Sequence, residues 1–295
     1  MKRILTLALI ASAGLFTSGS SFRKSKRIPA GYVYVPMGSV NVNGLVCTVQ
    51  AFCMSATEVS NKQYREFLAA LRKEGKTGEL PACTPDSAQW AVYVKGELGE
   101  YFRDHYNSDP RFDDMPVVNV TQHAARLYCA WYTSAHLSDE LVKMGADFRL
   151  PMEAEWTLAA NGKFAGPIFP WGTLSPRKAN GDLMANFCTV PEAGLKKDAR
   201  TGAIEQVNVP FPAPGPVDKM NITAPVIAYW PNAFGLYNMS GNAAEMLHED
   251  GRTKGGSWNS SGYYIRIDAA DEYKGFVNGS PMIGFRPVIT YLGPK

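Results

Sequence analysis

From Phe164 to Trp258 the chain is dominated by glycine, proline, asparagine and aromatic residues, and neither the period of a helix nor that of a strand can be traced through it. Such a stretch stays folded only if something other than backbone ladders holds it, and bound cations are the obvious candidate. No internal repeat, low-complexity tract or second composition regime interrupts the chain, which predicts a single domain.

The hydrophobic fraction of 45% is that of an ordinary globular core. The net charge of +3 supplies no long-range field for nucleic acid, so a nucleic-acid partner is not expected. Residues 1–20 read as an export signal: Lys2 and Arg3 start it, Ile4 to Phe16 form an apolar run, and Thr17-Ser18-Gly19-Ser20 supply small residues for cleavage. A membrane-spanning helix needs about 20 apolar residues, more than this run provides, so no transmembrane anchor is expected. The expected location is periplasmic or extracellular. Residues 21–30, with Arg23, Lys24, Lys26 and Arg27, read as a flexible mature N-terminus, and residues 31–295 as the domain. No cysteine lies at the cleavage region to carry a lipid.

Gly31 to Gly38 and Val46 to Met54 read as two strands of a hairpin. Ser60 with Gln63 forms a capping box opening a helix, whose core stripe is Tyr64, Phe67, Leu68 and Leu71 and which ends at Gly75. Residues 76–115 read as an irregular, packed insertion, because a linker lacks so many aromatic groups. Val117 to Val120 reads as a short strand, Thr121 as the cap of a second helix, and Pro151 as the first residue of a third that Asn161-Gly162 closes. His136 and Glu140 do not make a metal site by themselves. Glu153 and Glu155 read as first-turn charges, and His248, Glu249 and Asp250 as the filling of a tight turn before Gly251. Five cysteines, Cys47, Cys53, Cys83, Cys129 and Cys188, leave at least one unpaired, and their spacing does not settle any pairing.

Five ordered blocks carry a resemblance. Asn232-Ala233-Phe234-Gly235-Leu236-Tyr237-Asn238-Met239-Ser240-Gly241-Asn242-Ala243-Ala244-Glu245 is followed by Gly255-Gly256-Ser257-Trp258 and by Gly284-Phe285-Arg286. Pro116 to Val120 with Ala125 to Trp131, and Arg149 to Trp156 with Phe169-Pro170-Trp171-Gly172, agree with it. Together they resemble the formylglycine-generating enzyme, or sulfatase-modifying factor, family. The resemblance implies an α+β fold that is poor in regular secondary structure and related to C-type lectins. It implies two calcium sites, one from Asn186 and Asp218 by side chain with the carbonyls of Phe187 and Met220, the other from Asn238 and Glu245 by side chain with the carbonyls of Gly241 and Ala243. Asn and Asp at such positions also make turns. A family disulfide from the Cys129 position to a cysteine just after Gly-Phe-Arg is absent, because Pro287 stands there.

The family's oxidation of a substrate cysteine uses two cysteines that hold copper(I), a soft ion suited to thiolates. Counted from Gly255, those positions fall on Ser260 and Ile265, and no cysteine follows Cys188. Copper and formylglycine-generating activity are therefore not expected, and no catalytic residue is assigned. A nucleophile elbow lacks its last glycine at Asn259, and no phosphate loop is present. The expectation is a non-catalytic member, a pseudoenzyme serving as a calcium-stabilised binding or structural module of the cell envelope. Its groove is expected to be formed by Ser260, Ser261, Tyr263, Tyr264, Arg266 and Asp268 and to face a peptide, protein or glycan; an alternating strand surface is the other reading of the same residues. Residues 49–54 leading to Asn61, and 112–118, also resemble members found among gliding-motility and type IX secretion lipoproteins. The alternative is an oxidoreductase of another kind on the same scaffold.

Overall fold

The computed structural model of the protein describes residues 29–188, 195–197, 204–206 and 222–290. The first strands are β1 (Tyr32–Val35), β2 (Gly38–Val42), β3 (Leu45–Val49), β4 (Phe52–Ser55) and β5 (Phe148–Arg149). Later ones are β6 (Leu195–Lys197), β7 (Ile204–Gln206), β8 (Ala244–Met246), β9 (Thr253–Lys254), β10 (Ile283–Gly284) and β11 (Val288–Thr290). The helices are α1 (Asn61–Lys73), α2 (Leu80–Cys83), α3 (Gln89–Tyr93), α4 (Glu97–His105), α5 (Gln122–His136), α6 (Asp139–Lys143) and α7 (Glu153–Asn161). No helix of the described residues is long and apolar enough to cross a membrane.

The main sheet runs β1-β4-β11-β5, antiparallel throughout, so the last strand is threaded between two that lie early and midway in the chain. A three-stranded sheet β10-β8-β9 gathers the signature segments, with β10 parallel to β8. The expected pairing of the first two apolar runs holds in part. β1 does pair with β4, in the register Val35↔Phe52, but the run 46–54 is broken into β3 and β4, and β3 turns back on β2 as a separate hairpin. Asn43 and Gly44, at φ 52° and 86°, form its two-residue turn.

Ser60 and Gln63 exchange side-chain and backbone bonds at the start of α1, and Gly75 follows its end at φ 74°. Thr121 caps α5 through Ala124. α7 begins after Met152 rather than at Pro151, with Glu155 reaching back to the Met152 amide at 2.9 Å. Two expectations fail, the first only in part. Residues 76–115 are packed, as expected, with Trp90 fully buried among Phe102, Tyr106 and Trp258 and Asn61 of α1 bonded to the carbonyls of Tyr106 and Phe112, but they are largely short helices rather than irregular chain. Residues 117–120 form no strand: Val117 donates to the Val59 carbonyl, but Asn119 turns to φ 63° and the ladder stops.

All five cysteines are free thiols. Burial raises the pKa of the Cys53, Cys83, Cys129 and Cys188 thiols, so none of these four is primed as a thiolate.

Candidate functional site

The signature stretch folds around buried charges. Arg286, fully buried, donates from Nε to both oxygens of Glu245 at 2.8 Å and from Nη2 to Oε1 at 2.5 Å. Trp156 Nε1 donates to Glu245 Oε2 at 2.8 Å. The remaining guanidinium hydrogens go to the carbonyls of Ser55, Ala56 and Tyr237. Beside this pair lies a second buried carboxylate, Glu58, which accepts from Asn242 Nδ2 at 2.8 Å and Asn238 Nδ2 at 3.2 Å and stands 3.9 Å from Arg286. Burial, partly opposed by Arg286 and reinforced by Glu245, pushes Glu58 up to about 7.

This geometry bears on the expected calcium ligands. Glu245 is met by Arg286 and Trp156, so its charge has a partner within the protein. Asn238 and Asn242 adopt φ 51° and 66°, and their amides serve Glu58. Gly241, at φ 75°, is required because a Cβ there would lie 2.1 Å from the Asn186 carbonyl. Ala243 is buried on the way into β8. Asn186 donates to the Ile222 carbonyl and to Asn242, and Phe187 packs against Ile265 and Phe169; Asp218 and Met220 lie outside the described residues. Glu58 was missed in the sequence because a carboxylate just before a helix cap reads as an entry charge.

Ser260 does not line a groove. It is fully buried, its Oγ donates to Glu272, and it lies 3.2 Å from Ser257 Oγ and 3.1 Å from Tyr273 OH. Ser257 Oγ is 2.7 Å from the same phenol, which burial pushes up to about 12. Gly256, at φ 65°, lets the chain pass the Tyr264 carbonyl, which a Cβ would meet at 2.8 Å. Ile265 is fully buried among Phe169 and Ala185. A copper(I) thiolate centre does not fit these two residues: one is a hydroxyl already bonded, the other an alkyl group in a dry cluster. Among the described residues, no three His, Cys, Asp or Glu side chains are grouped as a metal cage.

Residues 261–268 form consecutive turns rather than an alternating strand, and they divide the expected groove. Ser261 accepts the Tyr264 amide within the turn. Tyr264 and Arg266 border a small pocket with Glu272 and Tyr273, whereas Tyr263 and Asp268 border a much larger cleft of about 700 Å3. Its other walls are the β2 hairpin and one face of α7, with Lys254 on the floor. Lys254 donates to the Ala269 carbonyl at 3.2 Å and lies 3.9 Å from Glu153, and burial lowers its pKa. Sequence spacing gave no signal for this cleft. The turn at His248, Glu249 and Asp250 is held by Gln122 and Arg126 of α5, as a structural corner.

Residues 12–291 match the sulfatase-modifying factor enzyme 1-like domain family. The mouse formylglycine-generating enzyme is 28% identical over 82% of this chain, which spans 57% of that protein. The bovine inactive C-alpha-formylglycine-generating enzyme 2 is 29% identical over 45% of this chain and 32% of its own. Among solved structures, CarF superposes with a TM-score of 0.53 at 18% identity, covering 89% of this chain and 99% of CarF.

Two outcomes follow from the buried charges. Glu245→Gln removes the carboxylate bonded to Arg286, leaving only Glu58 at 3.9 Å, and is expected to lower stability by about 3–5 kcal/mol in denaturant unfolding, with or without calcium. Below about pH 4.5 Glu58 is protonated in both folded and unfolded chains, whereas between 4.5 and about 7 only the folded chain keeps the proton. Stability therefore falls as pH rises through that window, and the contribution is gone above it. Melting of Glu58→Gln against wild type across pH 4 to 8 is expected to show a shallower decline in the variant.

Proposed function

Because the chain belongs to the sulfatase-modifying factor enzyme 1-like domain family, we propose that it is a member working without oxidation chemistry, an exported binding or structural module of the cell envelope. The observation that carries this reading is the fate of the two positions that would supply thiolates. Ser260 is spent on a buried hydroxyl and carboxylate network, and Ile265 completes an apolar cluster. Similarity to a protein described as an inactive formylglycine-generating enzyme accords with it. A full covering of Ser257 and Ser260 also argues against a serine nucleophile, since no substrate carbonyl could approach either hydroxyl.

Export rests on the apolar run after Lys2 and Arg3, and a place beside gliding or type IX secretion components rests on sequence resemblance. Calcium is retained in this reading through Asn186, Phe187, Asp218 and Met220 rather than through Glu245, whose charge Arg286 already meets. Hard oxygens there would tie the loop-rich segment to the Asn186–Asn242 contact.

Incubating the full-length mature protein with a cysteine-containing sulfatase peptide, with and without copper, is expected to leave the peptide mass unchanged. A mass change to the aldehyde above the no-enzyme control would overturn the reading. For calcium, an ion at a hundredfold excess over Kd raises stability by about 2.7 kcal/mol. Adding calcium is expected to raise the melting temperature of wild type by several degrees, chelation to reverse it, and Asp218→Asn to abolish the response.

A further inference from the structure

The large cleft is built around the edge of a strand. Residues 39–42 of β2 and the turn residues Asn43 and Gly44 border it, and four successive strand residues whose side chains alternate between faces accord with a lateral strand edge. Among the described residues, β2 has a single sheet partner, β3. Val42 and Leu45 flank the two-residue turn and so form a hydrogen-bonded pair, as do Val40 with Cys47 and Gly38 with Val49. The amides and carbonyls of Ser39 and Asn41 therefore point away from β3, and they have no backbone partner among the described residues.

Opposite this edge runs one face of α7, where Glu153, Thr157 and Asn161 recur every fourth residue. Eight helical residues span about 12 Å, close to the length of four residues of extended chain at roughly 3.3 Å each. Asn161 is nine-tenths buried and borders the cleft, yet its side-chain amide makes no hydrogen bond to the described residues. The charges are internally met: Glu153 is held by Arg252 at 3.0 Å with Lys254 nearby, and Asp268 is held by Arg266 at 2.6 Å. A cleft of this kind offers no field to an anion. It does offer donor and acceptor pairs at the repeat of a polypeptide backbone, which a sugar ring does not share.

The geometry points to this cleft as a docking site for a short, uncharged peptide segment, about four residues long, that adds to the free edge of β2 as a third strand. Its backbone pairs with Ser39 and Asn41, and alternate side chains face the α7 stripe, where Asn161 bonds a polar one. Tyr263, half exposed at the lip, covers one end. This deepens the reading of the protein as a binding module, at a place distinct from the positions of Ser260 and Ile265.

The test uses the full mature chain and an immobilised library of blocked hexapeptides, with chitotriose and mannotriose as neutral saccharide probes. Peptide binders are expected, and amide hydrogen exchange at Ser39 and Asn41 should slow when one is bound. N-methylation of alternate peptide residues should abolish binding, and Asn161→Ala should weaken it by about tenfold. The exchange and N-methylation readouts need no variant, so a fold defect in Asn161→Ala does not blunt the test. Absence of any peptide binder, binding that leaves exchange at Ser39 and Asn41 unchanged, or binding of the saccharides alone overturns the assignment. A peptide that binds here and emerges oxidised would support the docking site while overturning the non-oxidase reading.

Discussion

The rest of the structure hangs on the pairing of Glu245 with Arg286. Two fully buried charges are costly to take out of water, and the arrangement is stable only because every other polar group around them is used. Arg286 is bonded to the carbonyls of Ser55, Ala56 and Tyr237 as well as to the carboxylate, and Trp156 supplies a further donor. Those partners belong to β4, to the loop entering the signature stretch and to α7. The Arg286–Glu245 pair thus joins the main sheet to the smaller sheet and, through Trp156, to the helix behind it.

Around the pair, asparagine does the work that ladders do elsewhere. Asn232 spans from the Ala159 carbonyl at the end of α7 to the amides of Phe234 and Leu236, and Asn242 joins Glu58, the Ala224 amide and carbonyl, and Asn186. A side-chain amide both donates and accepts, so it substitutes for a neighbouring strand where the backbone turns sharply. The described parts of the loop-rich segment, residues 164–188 and 222–258, are held by these amide bridges and by apolar clusters on either side of the main sheet.

Glu58, Glu245, Ser257 and Ser260 are buried and bonded to other side chains, whereas the cleft beside β2 is open to solvent. Ser260 is held in the interior because Glu272 and Tyr273 complete the bonding that a buried serine requires.

The sequence by itself determined the helix starts at Ser60 and Thr121, the close of α7 at Gly162, the family blocks and the lack of any cysteine after Cys188. Each is a local property: caps, turns and residue identity depend on neighbours within a few positions. By resemblance it also marked Asn238, Gly241 and Glu245 as calcium ligands. Only the tertiary structure decided that Glu245 faces Arg286, 41 residues away, and that Glu58 joins them from the entry of α1. The same holds for the packing of residues 76–115 onto α1 through Asn61 and Trp90, and for Ser260, whose hydroxyl is met by Glu272 and Tyr273. The cleft combines residues 39–44, 153–161 and 263–270, and no periodicity links segments so far apart. Charge partners, burial and cavities are set by distance in space, and spacing along the chain carries no record of it.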